Sequence, residues 1–314
     1  MSNWVVRPVI ATDCTEHSPV SPEVSRYIRA SLSENSRKAY RADLNHFLAW
    51  GGCIPATPEV VARYLAAYAG QLAIATLARR LVSISKAHTT QGISSPTDAE
   101  LVCATLRGIR HTHGSAQRQV APAVKEDVLM MVAGLEGVKG ARDKALLLLG
   151  FAGAFRRGEL VALTVADIEQ AKQGLIVYLR FSKTDQEGQG RKIAIPFARG
   201  AVCPVMALSQ WLEVSSIKEG PIFRPVNRHG TIASVALSAQ AVAHVVKERA
   251  KAVGLDPSQY AGHSLRAGLV TSAAQLGVSS WKIRQQTGHK SDAMLARYIR
   301  DANIFVDNAA GAVL

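Results

Sequence analysis

The stretch from His263 to Tyr298 reads HSLRAGLVTSAAQLGVSSWKIRQQTGHKSDAMLARY. Arg266 follows His263 by three residues, Gly288-His289 comes next, and Tyr298 lies nine residues after His289. A guanidinium binds two oxygens of a phosphate at once, and a tyrosine hydroxyl can act as a nucleophile that forms a covalent intermediate. The combination indicates a site that binds a phosphate group and attacks it, provided that other parts of the chain complete it.

The composition favours a nucleic-acid partner. The chain has 314 residues, which allows one large domain or two ordinary ones, and 48% of them are apolar, so hydrophobic cores are expected. The formal net charge is +13, the pI is about 9.9, and both halves of the chain are basic. A charge of this size favours binding to a polyanion. A basic protein without such a partner is the alternative that charge alone leaves open.

Cysteine spacing and hydropathy predict a cytoplasmic protein. The cysteines, at positions 14, 53, 103 and 203, form no CxxC pair, and their spacing suits neither zinc nor a disulfide framework. The chain does not open with a basic segment followed by an apolar one, as a signal peptide does. The longest apolar run, Ala145–Phe155, is shorter than the roughly 20 residues that span a bilayer. We therefore expect free thiols in a reducing cytoplasm.

Helical periodicity dominates the N-terminal part. Residues 1–20 are expected to be a loose tail, whereas residues 21–111 predict a bundle of four helices with short connections. The start signals are Ser33 as an N-cap, Thr57-Pro58, and a capping box of Thr97 and Glu100. The apolar stripes comprise Tyr40, Leu44, Phe47 and Leu48; Val61, Tyr64, Leu65 and Tyr68; Leu77, Leu81 and Ile84; and Leu101, Leu106 and Ile109.

Residues 112–122 are polar and aperiodic, and they predict a linker to a second domain at 123–301. Two runs rich in β-branched residues, Gly174–Phe181 and Lys192–Ile195, flank a polar Gly-rich connector and predict a β-hairpin. Leu265, Leu269 and Leu276 form the apolar stripe of a helix expected at 263–276. The other helices are expected around 124–134, 141–154, 156–168, 204–215, 238–253, 279–286 and 291–299.

Two further segments supply candidate cations. Arg156 and Arg157 stand in GAFRRGEL at the start of a helix, where backbone N–H groups also point outward, and Lys183 follows the first hairpin strand. Each has an ordinary alternative, which is a charged helix start for the arginines and a solvated hairpin charge for the lysine. The pair His263 and Arg266, taken alone, is likewise typical of a helix surface.

Taken in chain order, six of these residues resemble the catalytic set of the tyrosine recombinase (phage integrase) family, and they are Arg156, Lys183, His263, Arg266, His289 and Tyr298. The segment RRGEL resembles that family's Arg-x-x-Glu-Leu box, and SKTD resembles its hairpin lysine motif. HSLR, GHK and ARYIR resemble its His-x-x-Arg box, its Gly-His box and its nucleophile segment. Arg156 is the box arginine because it precedes Glu159 by three residues.

The resemblance covers about residues 21–305 and implies a mainly α fold. A four-helix core-binding bundle would be followed by a mostly helical catalytic domain with a small antiparallel β-sheet. The residues that the resemblance implies as DNA contacts in the bundle are Arg37, Lys38, Arg41, Arg79, Arg80 and Lys86.

The resemblance also implies a mechanism. Tyr298 attacks a DNA phosphodiester, so that a 3′-phosphotyrosyl link forms and a 5′-hydroxyl leaves. Arg156 and Arg266 stabilise the transition state, with a hydrogen bond from His289. Lys183 donates a proton to the leaving oxygen and His263 assists proton transfer at the nucleophile. Glu159 is expected to orient the site. No metal or other cofactor is implied.

Assembly and biological role follow from the same resemblance. Four protomers, each able to be a monomer in solution, would act on two DNA sites with inverted repeats. The tail at 302–314 would pack into a neighbouring protomer through Ile304, Phe305, Val306, Val313 and Leu314, or else on its own domain. Integration of a mobile element, excision, resolution and inversion all remain open, in a cytoplasmic, nucleoid-associated setting.

Two other functions compete with recombination. A type IB topoisomerase uses a similar set of Arg, Lys, His and Tyr side chains, but the helical bundle, the SKTD hairpin and the short tail favour a recombinase. A DNA-binding protein without catalysis, built on the same scaffold, is the second alternative. The six intact residues argue against it.

Overall fold

The computed structural model describes residues 21–114, 119–180, 190–199 and 202–289, together with residues 291, 292, 295, 296 and 298. These residues form two compact units that divide after residue 118. Each unit has its own hydrophobic core. No helix within these ranges combines the length and the apolar composition that crossing a bilayer requires. Cys53, Cys103 and Cys203 are free thiols, as expected.

The first unit contains the four predicted helices and one more before them. Ser33 caps the second helix through a hydrogen bond from the backbone N–H of Ser36, and Pro58 opens the third helix as predicted. The last helix runs on to His113, past the expected start of the linker at residue 112. The helices are α1 Pro22–Ala30, α2 Glu34–Ala49, α3 Pro58–Ala67, α4 Ile74–Thr89 and α5 Glu100–His113.

Aromatic side chains fill the centre of this unit. Phe47 and Tyr64 are both 0% exposed, and their ring centroids lie 5.0 Å apart in an edge-on arrangement. Leu77 and Ile84 of α4 pack against the same cluster. The predicted stripes are therefore confirmed in their central positions. Burial of such side chains is the main stabilising contribution to a bundle of this size.

Three details of the predicted bundle are wrong. Leu48 and Leu101 are 40% and 48% exposed, and Val102, at 0% exposed, takes the buried position in α5. Thr97 and Glu100 do not form a capping box, because Pro96 starts a separate 3-10 turn that Ser95 caps. α5 begins only after that turn, with Ala99 at its N-cap.

The second unit is mostly helical and carries one small sheet, as the sequence predicts. The sheet is antiparallel with the strand order β1-β2-β3. Asp292, Leu295, Ala296 and Tyr298 also have helical backbone conformation. The elements are α6 Lys125–Val132, α7 Gly137–Ala152, α8 Arg157–Ala162, β1 Ile168–Ala171, β2 Gly174–Leu179, β3 Arg191–Pro196, α9 Pro204–Ser215, α10 Ala239–Ala252, α11 Ser264–Gln275 and α12 Ser280–Thr287.

The helix expected over residues 156–168 is much shorter, and a strand replaces its end. α8 stops at Ala162. Thr164 then donates hydrogen bonds from its backbone N–H and its hydroxyl to Asp167 Oδ2, at 2.9 and 2.6 Å. These bonds close a 3-10 turn that redirects the chain into β1. The local bonds between a Thr and an Asp thus outcompete helix continuation.

The helix α11 is buried nearly all round rather than along one stripe. Leu265 is 1% exposed, but Leu276 lies past the end of the helix and is 77% exposed, so the predicted stripe is wrong. Gly268 explains how the helix enters the core, because a Cβ built there would lie 1.7 Å from the carbonyl oxygen of Ala123. The close approach of these two backbones places Arg266 inside the unit.

Candidate active site

Arg266 is the buried centre of the site. Arg266 is 1% exposed. Its Nη1 donates a hydrogen bond of 2.7 Å to the carbonyl oxygen of Ala154, just after the end of α7. Its Nη2 lies 3.2 Å from His289 Nε2. Burial, followed by the charge of Arg156, lowers the pKa of Arg266 to about 10. The guanidinium therefore stays charged at neutral pH and carries a fixed cation into the core.

His289 is held as a neutral ring. Thr287 Oγ1 donates to the carbonyl oxygen of Ile283 at 2.7 Å, so it is free to accept a hydrogen bond from the N–H of His289 Nδ1, which lies 2.7 Å away. Nε2 is then the unprotonated nitrogen and accepts the hydrogen bond from Arg266. Burial, and then the charges of Arg266 and Arg156, lower the pKa of His289 to about 4. A protonated ring would direct an N–H at the guanidinium.

Arg156 is oriented by Glu159 within a single turn. The backbone N–H of Arg156 donates to Glu159 Oε2 at 2.9 Å, and Arg156 Nη1 donates to Oε1 at 2.6 Å. Glu159 is 7% exposed, so both oxygens of a buried carboxylate point at one arginine. Arg157 is exposed and extends towards Gln240, with 3.5 Å between Nη1 and Oε1. The geometry distinguishes the two neighbours in the way that the spacing predicts.

His263 and Tyr298 form the nucleophile pair. His263 is the N-cap of α11, and its Nε2 lies 3.2 Å from the hydroxyl of Tyr298. Tyr298 packs on the small cluster formed by Val270, Ala274, Ile283 and Leu295. Desolvation, then the charges of Arg266 and Arg156, lower the pKa of His263. A neutral His263 can accept the proton of the tyrosine hydroxyl.

Five of the six predicted residues therefore lie at one place, while Lys183 lies outside the described residues. The hydrogen bonds join Arg266 to His289 and His263 to Tyr298, and the charge of Arg156 acts on both histidines. Over the described ranges, the structure brings no three His, Cys, Asp or Glu side chains into a group that could hold a metal ion.

Two residues at the site were missed by the sequence analysis. Arg191, the first residue of β3, donates from Nη1 to the carbonyl oxygen of Gln286 at 3.0 Å, and its guanidinium lies against Gly288. Gln286 Nε2 donates to the carbonyl oxygens of Ala152 and Ala194, at 2.8 and 3.3 Å. Strand alternation could have found Arg191, because it shares a face with the buried Ile193 and Ile195.

Among the expected DNA contacts of the first unit, Arg80 is buried. It is 8% exposed, and its Nη1 donates to the hydroxyl of Tyr64 at 2.9 Å. It also lies 3.8 Å from Asp43, a carboxylate that is 3% exposed. A guanidinium enclosed in this way does not present itself to a phosphate, so the expectation for Arg80 is corrected to an internal partner of Asp43. Helical periodicity alone did not separate it from Arg79.

The other five basic residues reach the surface of the first unit. Arg79 is half-exposed and makes a bidentate pair with Asp43, at 2.7 and 2.9 Å. Lys86 Nζ lies 5.8 Å from the ring centre of Tyr40, which links α4 to α2. The remaining three lie on α2, where Arg41 is exposed, Lys38 pairs with Glu34, and Arg37 donates to the carbonyl oxygen of Arg29.

Known proteins resemble this chain along most of its length. The phage integrase family matches residues 124–303. The chain is 41% identical to an integrase/recombinase xerD homolog of Selenomonas ruminantium over 304 residues, which are 92% of this chain and 88% of that protein.

Solved structures agree with the fold. A lambda integrase tetramer bound to a Holliday junction superposes with a TM-score of 0.61 at 19% identity, over 94% of this chain and 84% of that chain. The XerH site-specific recombinase bound to palindromic difH, in a post-cleavage complex, superposes with a TM-score of 0.60 at 18% identity, over 81% of this chain and 72% of that chain. At these identities the likeness establishes the fold.

The lowered pKa of His289 predicts acid sensitivity. Its folded pKa of about 4 lies below the ordinary value of 6.5, so the unfolded chain binds the proton first, and stability is lost as pH falls from 6.5 towards 4. Between pH 7 and pH 5 the wild type should lose about 2 kcal/mol more of its free energy of unfolding than His289→Gln. Urea denaturation at both pH values measures this difference. Parallel losses in the two proteins would contradict the buried neutral ring.

Proposed function

Because the chain belongs to the phage integrase family of site-specific tyrosine recombinases, we propose that it cuts and rejoins DNA strands through a covalent link to Tyr298. The observation that carries the proposal is the hydrogen-bond distance of 3.2 Å between Tyr298 and His263, beside the buried cation of Arg266. A hydroxyl, a neutral base and fixed positive charge are what attack on a phosphodiester requires.

The first step is transfer of the tyrosine proton and attack on phosphorus. Tyr298 Oη loses its proton to His263 Nε2 and forms a bond to the phosphorus of the scissile phosphodiester. The bond from phosphorus to the 5′ oxygen breaks, which leaves a 3′-phosphotyrosyl link and a 5′-hydroxyl. Lys183 donates the proton that the leaving oxygen takes up. The phosphotyrosyl link keeps the phosphodiester's free energy, so rejoining needs no ATP. No metal or cofactor takes part in the proposed steps.

Arg156 and Arg266 stabilise the negative charge that develops on the phosphate oxygens. Fixed donors in a site that excludes water are worth far more than the same donors in water, because they need no reorganisation during the reaction. Glu159 keeps Arg156 in place through its two hydrogen bonds. For His289 to donate to the phosphate, its proton must sit on Nε2. The hydroxyl of Thr287 can rotate and donate to Nδ1 instead, so it supports either tautomer.

Replacing Tyr298 by Phe tests the nucleophile. A nicked suicide substrate should trap wild-type protein covalently, whereas Tyr298→Phe should form no covalent complex and still bind the DNA, because only the attacking hydroxyl is lost. Tyr178→Phe removes another tyrosine hydroxyl of the same unit and should trap as well as wild type. Gel electrophoresis after denaturation measures trapping, and a mobility shift measures binding. Strand cleavage by Tyr298→Phe would refute the assignment.

The first unit would contact the DNA backbone through the α2–α4 surface. Arg37, Lys38, Arg41, Arg79 and Lys86 reach this surface, and the cross-helix contacts of Arg79 with Asp43 and of Lys86 with Tyr40 hold two of them there. Phosphate contacts of this kind release counterions, so they weaken as salt concentration rises.

Salt dependence tests this surface. Lys86→Gln should reduce the slope of log affinity against log salt by about 0.9, because one phosphate contact is lost. Arg107→Gln provides the matched control, since Arg107 is an exposed cation of the same unit that pairs with Glu100 on α5. Binding of a duplex with one recombination site is measured between low and physiological salt. Equal slopes for wild type and Lys86→Gln would exclude a phosphate contact at this position.

We further propose that four protomers act on two inverted-repeat sites, within the nucleoid of the cytoplasm, to move or resolve a genetic element. The lambda integrase structure that resembles this fold is a tetramer on a Holliday junction, and the XerH structure holds a palindromic substrate. Residues 302–314, which lie outside the described residues, would pack into a neighbour. Two apolar side chains that could contact them are Leu276 at the end of α11 and Trp281 in α12, which are 77% and 63% exposed.

Removing the chain after Arg300 tests the exchange of this tail. The truncated protein should bind a half-site as tightly as wild type but should no longer pair two sites, because the contacts between protomers are lost. Native gels with one-site and two-site DNA separate the two steps. Normal pairing by the truncated protein would place the tail on its own domain.

A further inference from the structure

Arg191 sits at the junction of the sheet and the site. It is the first residue of β3, and it occupies a position on the inward face of the strand, two residues before the buried Ile193. Its guanidinium lies against Gly288, the residue before His289, where a Cβ would come within 2.8 Å of it. A cation therefore occupies an inward-facing position of the strand, beside the candidate active site.

One edge of this guanidinium has no partner in the described part of the chain. Nη1 donates to Gln286, but Nε and Nη2 are closed to solvent and make no hydrogen bond. Among the residues that the structure describes, an acidic oxygen near this edge is Glu159 Oε2, which is 3.9 Å from Nη2 and already accepts from Arg156. Nε and Nη2 form the fork with which an arginine binds two oxygens at once.

Two other arginines of this protein, Arg79 and Arg249, fill the same fork. Arg79 uses Nε and Nη2 on Asp43, at 2.7 and 2.9 Å, and Arg249 uses them on Asp143, at 3.1 and 2.5 Å. Arg191 alone among these three leaves the fork empty while its side chain is only 20% exposed. Buried polar groups are nearly always satisfied, so an empty fork in a site calls for a ligand.

The local charge points to an anion. Arg156, Arg191 and Arg266 bring three positive charges to this place, and Glu159 supplies one negative charge. With His263 and His289 neutral, the excess over the described residues of the site is two positive charges. An anion with paired oxygens would fill the fork and reduce this excess.

We propose that Arg191 is a third guanidinium of the phosphate-binding site and that the scissile DNA phosphate supplies the acceptors that its Nε and Nη2 lack. The inference rests on the proposed function, since it takes the DNA phosphate as the anion. Its hydrogen bond to Gln286 and its contact with Gly288 fix the guanidinium beside His289 before DNA arrives. Nε and Nη2 are closed to solvent in this structure, so DNA binding must open access to them, but the guanidinium itself then needs no reorientation to stabilise the charge of the transition state.

The test compares single-turnover cleavage of a suicide substrate at saturating protein. Arg191→Gln should cleave about 100-fold more slowly than wild type, the loss typical of one such donor. Arg191→Lys keeps the cation without the fork, so its loss should be smaller, about tenfold. Lys192→Gln removes the neighbouring charge from the exposed face of the same strand, where Nζ lies 5.0 Å from the ring centre of Tyr178, and should stay within about twofold.

A modified substrate separates contact from packing. Where a neutral methylphosphonate replaces the scissile phosphate, the gap between wild type and Arg191→Gln should shrink to within about threefold, because the charge that Arg191 contacts is gone. An unchanged gap would overturn the inference and leave Arg191 as a packing residue, as would cleavage by Arg191→Gln at the rate of Lys192→Gln. If circular dichroism shows that Arg191→Gln does not fold, Arg191→Lys takes its place in the same two assays.

Failure of the proposed function looks different. Wild-type protein would then form no covalent complex with any suicide substrate, and the inference would fall with it. A wild type that is trapped, together with an Arg191→Gln protein that is trapped equally fast, leaves the function intact and refutes the role of Arg191.

Discussion

A charged guanidinium inside the second unit is the constraint on which the site depends. Arg266 is 1% exposed, and a cation in such a position is costly unless its donors are satisfied. The carbonyl oxygen of Ala154 and the ring of His289 satisfy two of them, so the end of α7 and the turn after α12 must meet α11. Gly268 lets α11 also approach the backbone of Ala123 closely. The fold therefore shields the guanidinium of Arg266 from water.

The same cation sets the protonation of its neighbours. In this structure Arg266 donates to His289, so Nε2 offers its lone pair and Thr287 accepts from Nδ1 on the other side. His263 is kept neutral by desolvation and by the nearby arginines, which suits a base that takes the proton of Tyr298. In the proposed function, the single negative charge of a DNA phosphodiester would reduce the excess positive charge that remains. The positive charge that the fold places at the site, rather than any single strong bond, is what would attract the phosphate.

Much of the fold and of the site was predictable from the sequence. The remaining features were not predictable, and the reasons are physical. The spacing of Arg156 and Glu159 within one turn predicts their mutual orientation, and helical periodicity predicts the cores around Phe47 and Val61. Helical periodicity carries no information about hydrogen bonds between side chains. It therefore did not predict the turn at Asp167 that precedes β1. It also could not tell that Arg80 is enclosed, because the partner carboxylate, Asp43, lies on another helix. Arg191 is a different case, because strand alternation does place it on the inward face of β3 with Ile193 and Ile195.

In the proposed function, Tyr298 becomes covalently joined to DNA phosphorus within this cationic site. Wild-type protein captured on a suicide substrate can be digested with protease and nuclease and mapped by mass spectrometry. The peptide that contains Tyr298 is expected to carry a nucleotide remnant, and the remnant is expected on Tyr298 itself. A remnant on any other residue, or complete capture with an unmodified Tyr298, would contradict it.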